Sequence, residues 1–344
     1  MLSNILGLDQ RVALFRELAT MVNSGISVSE AISLLKTRPA GPDLRAAMED
    51  AEHRVARGEQ LSEVMKDHPD VFSELNRAMV MAGEQSGRLD ETLNDVADYL
   101  EKEQELRQML SRETFYPKIL IGAMIIIPLI TQVVIAGVGG GAAAAVLTLL
   151  RQLVLYAVIA GFIAALWYVY NNIRSTEQGG ETIDGLKLKI PVLGPLVLQL
   201  AWAKVCRAVG ALYAAGLTMD QAAEIAAGTA GNRVIAQQLE RAVPVIHKGK
   251  PLSEALVKQG HVPDLPLRML QSGEKTGEID ATMEKVANYF EARAETSIRK
   301  LSMLIMPISV VILGIVVLIM AMQFYGGYFA GTFDALLGGG GAFE

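Results

Sequence analysis

The chain has little of what covalent chemistry would need. Its single cysteine, Cys206, excludes an internal disulfide and any paired-thiol redox or zinc motif. The four histidines, His53, His68, His247 and His261, are scattered without metal-ligand spacing. No nucleophile elbow or His-Glu-x-x-His pair occurs, and "SGEKTGE" (Ser272–Glu278) sets its lysine wrongly for a phosphate loop. No catalytic residue, cofactor site or metal site is therefore expected. Period-two alternation is never sustained, which argues against a sheet. The start, "MLSNILGLDQRVALF", lacks a basic region followed by a long apolar one, so no cleaved signal peptide is expected.

Charge is missing over two long stretches. Hydrophobic residues make up 51% of the chain and mean hydropathy is +0.32, too apolar for a wholly soluble protein with 20% charge. Between Lys118 and Arg151 lie 32 uncharged residues, more than the roughly 20 one span requires. Glycine disfavours a continuing helix, so "GVGGG" at Gly137–Gly141 is the expected turn. The reading is a first span at 117–138, a short outer loop and the start of the second helix at 139–150, and a second span at 151–170, with Trp167, Tyr168 and Tyr170 as an interfacial belt. A second uncharged run, from Leu301 to Phe333, holds a third span at 301–328 and leads into a glycine-rich tail, 329–344. Arg107, Arg112, Lys118, Arg174, Lys187, Lys189, Arg293, Arg299 and Lys300 flank one side of these spans, whereas Arg151 stands alone on the other. The positive-inside tendency then puts polar segments 1–116 and 171–300 in the cytoplasm and the tail outside. Segment 1–116 carries 13 Lys/Arg against 21 Asp/Glu, a balance that repels nucleic acid and favours a basic partner.

The two polar segments repeat one another. "RELATMVNSGISVSEAISLL" (Arg16–Leu35) matches "RAVGALYAAGLTMDQAAEIA" (Arg207–Ala226) at an offset of 216 − 25 = 191. One residue is later lost, and Gly83 pairs with Gly273 at an offset of 190. From Gly83 to Glu101, nine of nineteen positions are identical to the second copy. The same offset carries Pro117 to Pro307, each opening a span, where proline is ordinary. The fold class expected is an all-α membrane protein: two homologous cytoplasmic helical bundles in tandem plus three transmembrane helices.

Within each copy the apolar spacing is helical. Phe15, Leu18 and Val22 share one face, as do Val205, Val209, Leu212 and Tyr213. Gly25 and Gly216 end these faces as left-handed C′ residues, and Ser27 and Thr218 restart helices as N-caps. Gly83 and Gly273 are expected to close a helix, and Gly87 and Gly277 to make the following turn. Asp90 and Asp280 open the next helix as first-turn acids, which the helix dipole favours. Glu84 and Glu274 have two readings. They contact a partner or cation, or they accept backbone N–H bonds at the next helix start, which the chemistry of helix N-termini favours.

The ordered set "LATMVNSGISVSEAI", "AGEQSGRLDETL", "LKIPVLGPL", "LYAAGLTMDQA" and "SGEKTGEIDATM" resembles the inner-membrane platform proteins of bacterial type II secretion and type IV pilus assembly, from about Arg11 to Tyr328. The first copy begins almost at Met1, which resembles the shorter pilus-assembly branch. The resemblance implies a non-enzymatic scaffold in the bacterial inner membrane, its N-terminus cytoplasmic and C-terminus periplasmic. The partners it implies are a cytoplasmic hexameric ATPase, pilin or pseudopilin subunits and other inner-membrane assembly proteins. Homo-oligomerisation is expected from the apolar surface that three spans leave uncovered. The competing class is a transporter subunit built from parallel repeats, but such carriers hold buried polar groups at the midplane, and here the spans carry no charge.

Overall fold

The computed structural model describes residues 2–36, 41–113, 115–191, 193–257 and 262–338. They form helices α1 (Leu2–Asn23), α2 (Val28–Leu35), α3 (Pro42–Val55), α4 (Leu61–Asp67), α5 (Glu74–Ser86), α6 (Leu89–Glu113), α7 (Phe115–Ser175), α8 (Glu177–Lys189), α9 (Leu193–Ala214), α10 (Met219–Ala227), α11 (Arg233–Ile246), α12 (Leu252–Val257), α13 (Asp264–Thr276) and α14 (Ile279–Gly338). Among the described residues no strand occurs. The chain divides into two compact units, residues 1–110 with 181–297, and 111–180 with 298–344.

In the first unit, helix boundaries recur along the chain. Leu2 and Leu193 open α1 and α9 at a spacing of 193 − 2 = 191, and both helices have 22 residues. Pro42–Val55 and Arg233–Ile246 keep the same spacing with 14 residues each. Glu74–Ser86 and Asp264–Thr276 are 264 − 74 = 190 apart, as are the starts of α6 and α14. Local chemistry explains the shared edges. The Ser27 hydroxyl accepts from the Glu30 amide, and the Thr218 amide donates to Gln221 Oε1 at 3.3 Å. Pro42 sits at the start of α3, where its missing N–H costs nothing.

Of the side chains expected to share inward faces, Phe15, Leu18, Val205, Val209 and Leu212 are buried and Val22 and Tyr213 half-buried; Leu93, Val96 and Leu100 of α6 are buried as well. Each such Leu or Phe contributes about 1.5–3 kcal/mol. An edge-on Phe15–Phe72 pair, 6.0 Å between ring centres, anchors the first bundle, and Trp202 stacks on Phe290 at 6.5 Å in the second. Helix α5 packs against α9 and α10, so one buried apolar cluster runs through both bundles.

One expectation is corrected here. Gly83 does not close a helix; α5 runs one turn further to Ser86 and ends at Gly87 in the left-handed conformation (φ +70°). α13 ends likewise at Gly277 (φ +79°). Gly83 and Gly273 are needed for close approach instead. A Cβ on Gly83 would meet Thr92 Oγ1 at 2.5 Å, and one on Gly273 would meet Thr282 Oγ1 at 2.3 Å.

The second unit is built the other way round, with apolar side chains outward. Ile126, Leu147, Phe162, Trp167, Val310 and Leu318 are each more than half exposed. Residues Leu149–Ile173 have mean hydropathy 2.1, and the apolar window that makes them a candidate span is not buried within the chain, although Gln152 is. α9 also has the length and apolarity to cross a membrane, with mean hydropathy 1.3, but half of it is buried in the second bundle's core.

Residues 139–150, expected as a short loop and the start of the second helix, are helical. The run Ala142–Ala145 favours helix, and backbone groups lost from a helix in apolar surroundings cost several kcal/mol each. Yet α7 is not a straight rod. The Tyr156 hydroxyl reaches the Ile125 carbonyl at 3.4 Å, whereas 31 residues of straight helix would separate them by about 46 Å. The chain doubles back between them, and Gly140 and Gly141 lie midway. The expected tail also starts later, since α14 continues to Gly338; residues 339–344 lie outside the described ones. Pro117 is the third residue of α7, and Pro307 lies inside α14.

Candidate functional site at the junction of the bundles

Two bonding patterns hold each bundle, and both join residues far apart in sequence. In the first, Glu84 on α5 reaches across to the start of α4. Its carboxylate accepts from the Leu61 amide at 2.6 Å, the Ser62 amide at 3.3 Å and the Ser62 hydroxyl at 2.5 Å. Gln60, the N-cap of α4, makes no side-chain cap bond, so Glu84 supplies the missing acceptor from another helix. Glu274 on α13 does the same for α12, accepting from the Ser253 amide at 3.0 Å and the Ser253 hydroxyl. The helix start served is therefore the preceding one, not the next as the sequence had suggested. A clue was present: Gln60 and Pro251, just before these starts, cannot cap well, and an acid follows at matching positions in both copies.

The second pattern was missed at the sequence level. Arg16 on α1 clamps α6, donating to Glu101 at 2.8 Å and to Asp98 at 2.5 Å. Arg207 on α9 clamps α14, donating to Glu291 at 2.6 Å and to Asn288 at 3.0 Å. The hydrogen bond to Arg16 holds the Glu101 carboxyl below its ordinary range, and those to Glu101 and Asp98 push the guanidinium up.

Between α6, α9 and α14 lies a cleft of about 420 Å³. Asp95, Asp98, Glu101 and Glu105 line it from α6, Asp280 and Glu284 from α14. Lys102 and Arg207 are its cations, and both are committed, to Glu105 at 2.8 Å and to Glu291 at 2.6 Å. Burial, then neighbouring Asp98 and Glu91, raise the Asp95 carboxyl above its usual value. Burial also drives the Tyr99 phenol above its usual range. Such a cleft holds positive charge, so a partner that docks there through charge is basic.

Of the residues singled out beforehand, Asp280 lines the cleft and Asp90 does not; both are exposed in the first turn of their helices. Gly25 and Gly216 (φ +87° and +97°) end α1 and α9, away from the cleft lining. Residues 83–90 and 273–280 pass through buried, half-buried and exposed positions in the same order. Among the described residues no group of three or more His, Cys, Asp or Glu is arranged to hold a metal ion.

This is a helical protein with one core-forming unit and one unit whose apolar side chains face outward. The family model of type II secretion system protein F matches it twice, over residues 14–137 and 205–326. The chain belongs to that family. It is 32% identical to the type IV pilus assembly protein PilC of Thermus thermophilus over 335 residues, covering 90% of this chain and 80% of that protein. It is 27% identical to PilC of Pseudomonas aeruginosa, covering 90% and 87%, and 28% identical to the type II secretion system protein F of the same organism, covering 89% and 79%.

Proposed function

We propose that the chain is a non-enzymatic platform in the bacterial inner membrane that couples a cytoplasmic hexameric ATPase to insertion of pilin or pseudopilin subunits into a filament. In this reading the two bundles are homologous cytoplasmic domains in tandem, and three helices, at 117–138, 151–170 and 301–328, cross the bilayer. The N-terminus is cytoplasmic and the C-terminus periplasmic. Homo-oligomers and other inner-membrane assembly proteins complete the machine.

The observation that carries the reading is the packing of α5 on α9 and α10. Domains that share a core share a compartment, so the chain between them crosses the membrane an even number of times. The doubling back of α7 between Ile125 and Tyr156 supplies two crossings, and the apolar stretch of α14 leaves as the third. The pilus-assembly and secretion relatives supply the setting. Glu84 and Glu274 act as internal caps here rather than as partner contacts, since their carboxylate oxygens are already engaged.

Crosslinking in cells from exposed positions on α6 and α14 tests the partner. Capture of the assembly ATPase is expected. Hydrolysis of ATP by the purified chain alone would contradict the division of labour.

A further inference from the structure

A second groove, of about 510 Å³, lies in the second bundle where α8, α9 and α14 meet. Its volume is within the range of ligand sites. Its wall includes part of "LKIPVLGPL", a motif that the platform function leaves without a role. The lining is two-faced. Leu188, Pro195, Leu198 and Phe290 make it apolar, while Lys189 and Arg293 bring two cations. None of the described lining residues is acidic. Among the described residues neither cation has a carboxylate partner; Arg293 lies over the Tyr289 ring, 5.3 Å from its centre. The backbone fixes the shape: a Cβ on Gly194 would meet the Leu188 carbonyl oxygen at 2.1 Å, so α8 and α9 meet here without a side chain between them.

We propose that this groove binds an anionic phospholipid, its phosphate between Lys189 and Arg293 and its acyl chain along the apolar wall. An apolar floor beside uncompensated cations fits an amphiphile with a negative head. A soluble acidic helix would leave that floor unfilled, and a neutral lipid would leave both cations unpaired. The sequence agrees, because Arg293 precedes the uncharged run from Leu301 by only eight residues. Tyr289, beneath Arg293, is the kind of aromatic that sits at a headgroup boundary. The proposal rests on the membrane location argued above.

The test uses the full chain in detergent and its one cysteine as the reporter. Cys206 is buried in the second bundle, so maleimide labels it only as that bundle opens. Dioctanoyl phosphatidylglycerol should raise the temperature of half-labelling, and dioctanoyl phosphatidylcholine should not. A Lys189→Gln/Arg293→Gln variant should need on the order of thirtyfold more phosphatidylglycerol for the same shift. Equal stabilisation by the two lipids would overturn the proposal, as would an unchanged response in the variant. Glycerol 3-phosphate matching phosphatidylglycerol would overturn it in favour of a soluble anion. The wild-type lipid comparison stands even if the double variant folds poorly. Recovery of the chain in the soluble fraction of cells would contradict the membrane location itself, a failure separate from any lipid result.

Discussion

The first and second bundles use the same helices, at the same spacing, closed by the same kinds of long-range bond, yet they differ in filling and in surface charge. Where the first bundle has Phe15, the second has Cys206, 191 residues later, beside a cavity of about 20 Å³ lined in part by Trp202 and Phe290. Glu84 takes two amides and a hydroxyl, whereas Glu274 takes an amide and a hydroxyl. Arg16 clamps two carboxylates, but Arg207 clamps one carboxylate and an amide side chain. What recurs is what closes each bundle: a glycine–threonine contact, a borrowed helix cap and an arginine clamp. What differs is how each closure is completed: the core residue at the Phe15/Cys206 position, the donors on each cap and the second acceptor of each clamp.

The strongest way to break the likeness is at the glycine–threonine contact. Gly83→Val and Gly273→Val should each destabilise the fold by about 3 kcal/mol or more, because buried Thr92 and Thr282 have no room to withdraw. Thermal unfolding followed by maleimide labelling of Cys206 measures both. Burial raises the Cys206 thiol to about 12, so in the folded state it is unreactive. If the shared core makes the bundles cooperative, Gly83→Val lowers the labelling temperature as Gly273→Val does; independent bundles would respond to Gly273→Val alone.

Removing the borrowed cap comes next. Glu84→Ala should cost about 2–3 kcal/mol by stranding polar groups at the start of α4, and Glu274→Ala somewhat less, in denaturant titrations. Glu84→Gln, which keeps a carbonyl acceptor, should recover part of the loss. A smaller contrast separates the clamps. Arg207 is 11% exposed and Arg16 36%, so Arg207→Met should cost more than Arg16→Met, the latter within about 1 kcal/mol after solvent screening. Because the Glu101 carboxyl is depressed when folded, its contribution is present above the ordinary value of 4.5 and is lost as pH falls through the folded value. Stability measured against pH should fall more gently on the acid side in Arg16→Met.

The smallest effect has the opposite sign. The Asp95 carboxyl is raised in the fold, so its contribution is present at low pH and is lost as pH rises through the folded value. Asp95→Asn should therefore raise the melting temperature at pH 7 and leave it unchanged at pH 3.

Local chemistry made much of this readable in advance. Gly87, Gly277, Ser27 and Thr218 mark turns and caps through their own backbone needs, and the inward faces follow from apolar spacing. The clamps were not readable, because Arg16 meets Glu101 across 85 residues, which no periodicity encodes; the borrowed caps, with Leu61 meeting Glu84 across 23, left only the poor capping residues Gln60 and Pro251 as a clue. Gly83 was misread for the same reason: the Thr92 that crowds it lies on another helix. At Gly137–Gly141 the expected turn falls where the chain doubles back between Ile125 and Tyr156, although the residues there are helical.

The claim beneath the comparison is that both bundles face the same aqueous compartment, the cytoplasm. Cysteines introduced singly at Glu59 and Lys250, exposed and just past the equivalent left-handed glycines Gly58 and Gly249, test it most directly with a membrane-impermeant maleimide. The account predicts that both sites are protected in intact spheroplasts and that both are labelled once the membrane is permeabilised. Labelling of one site in intact spheroplasts with protection of the other would contradict it.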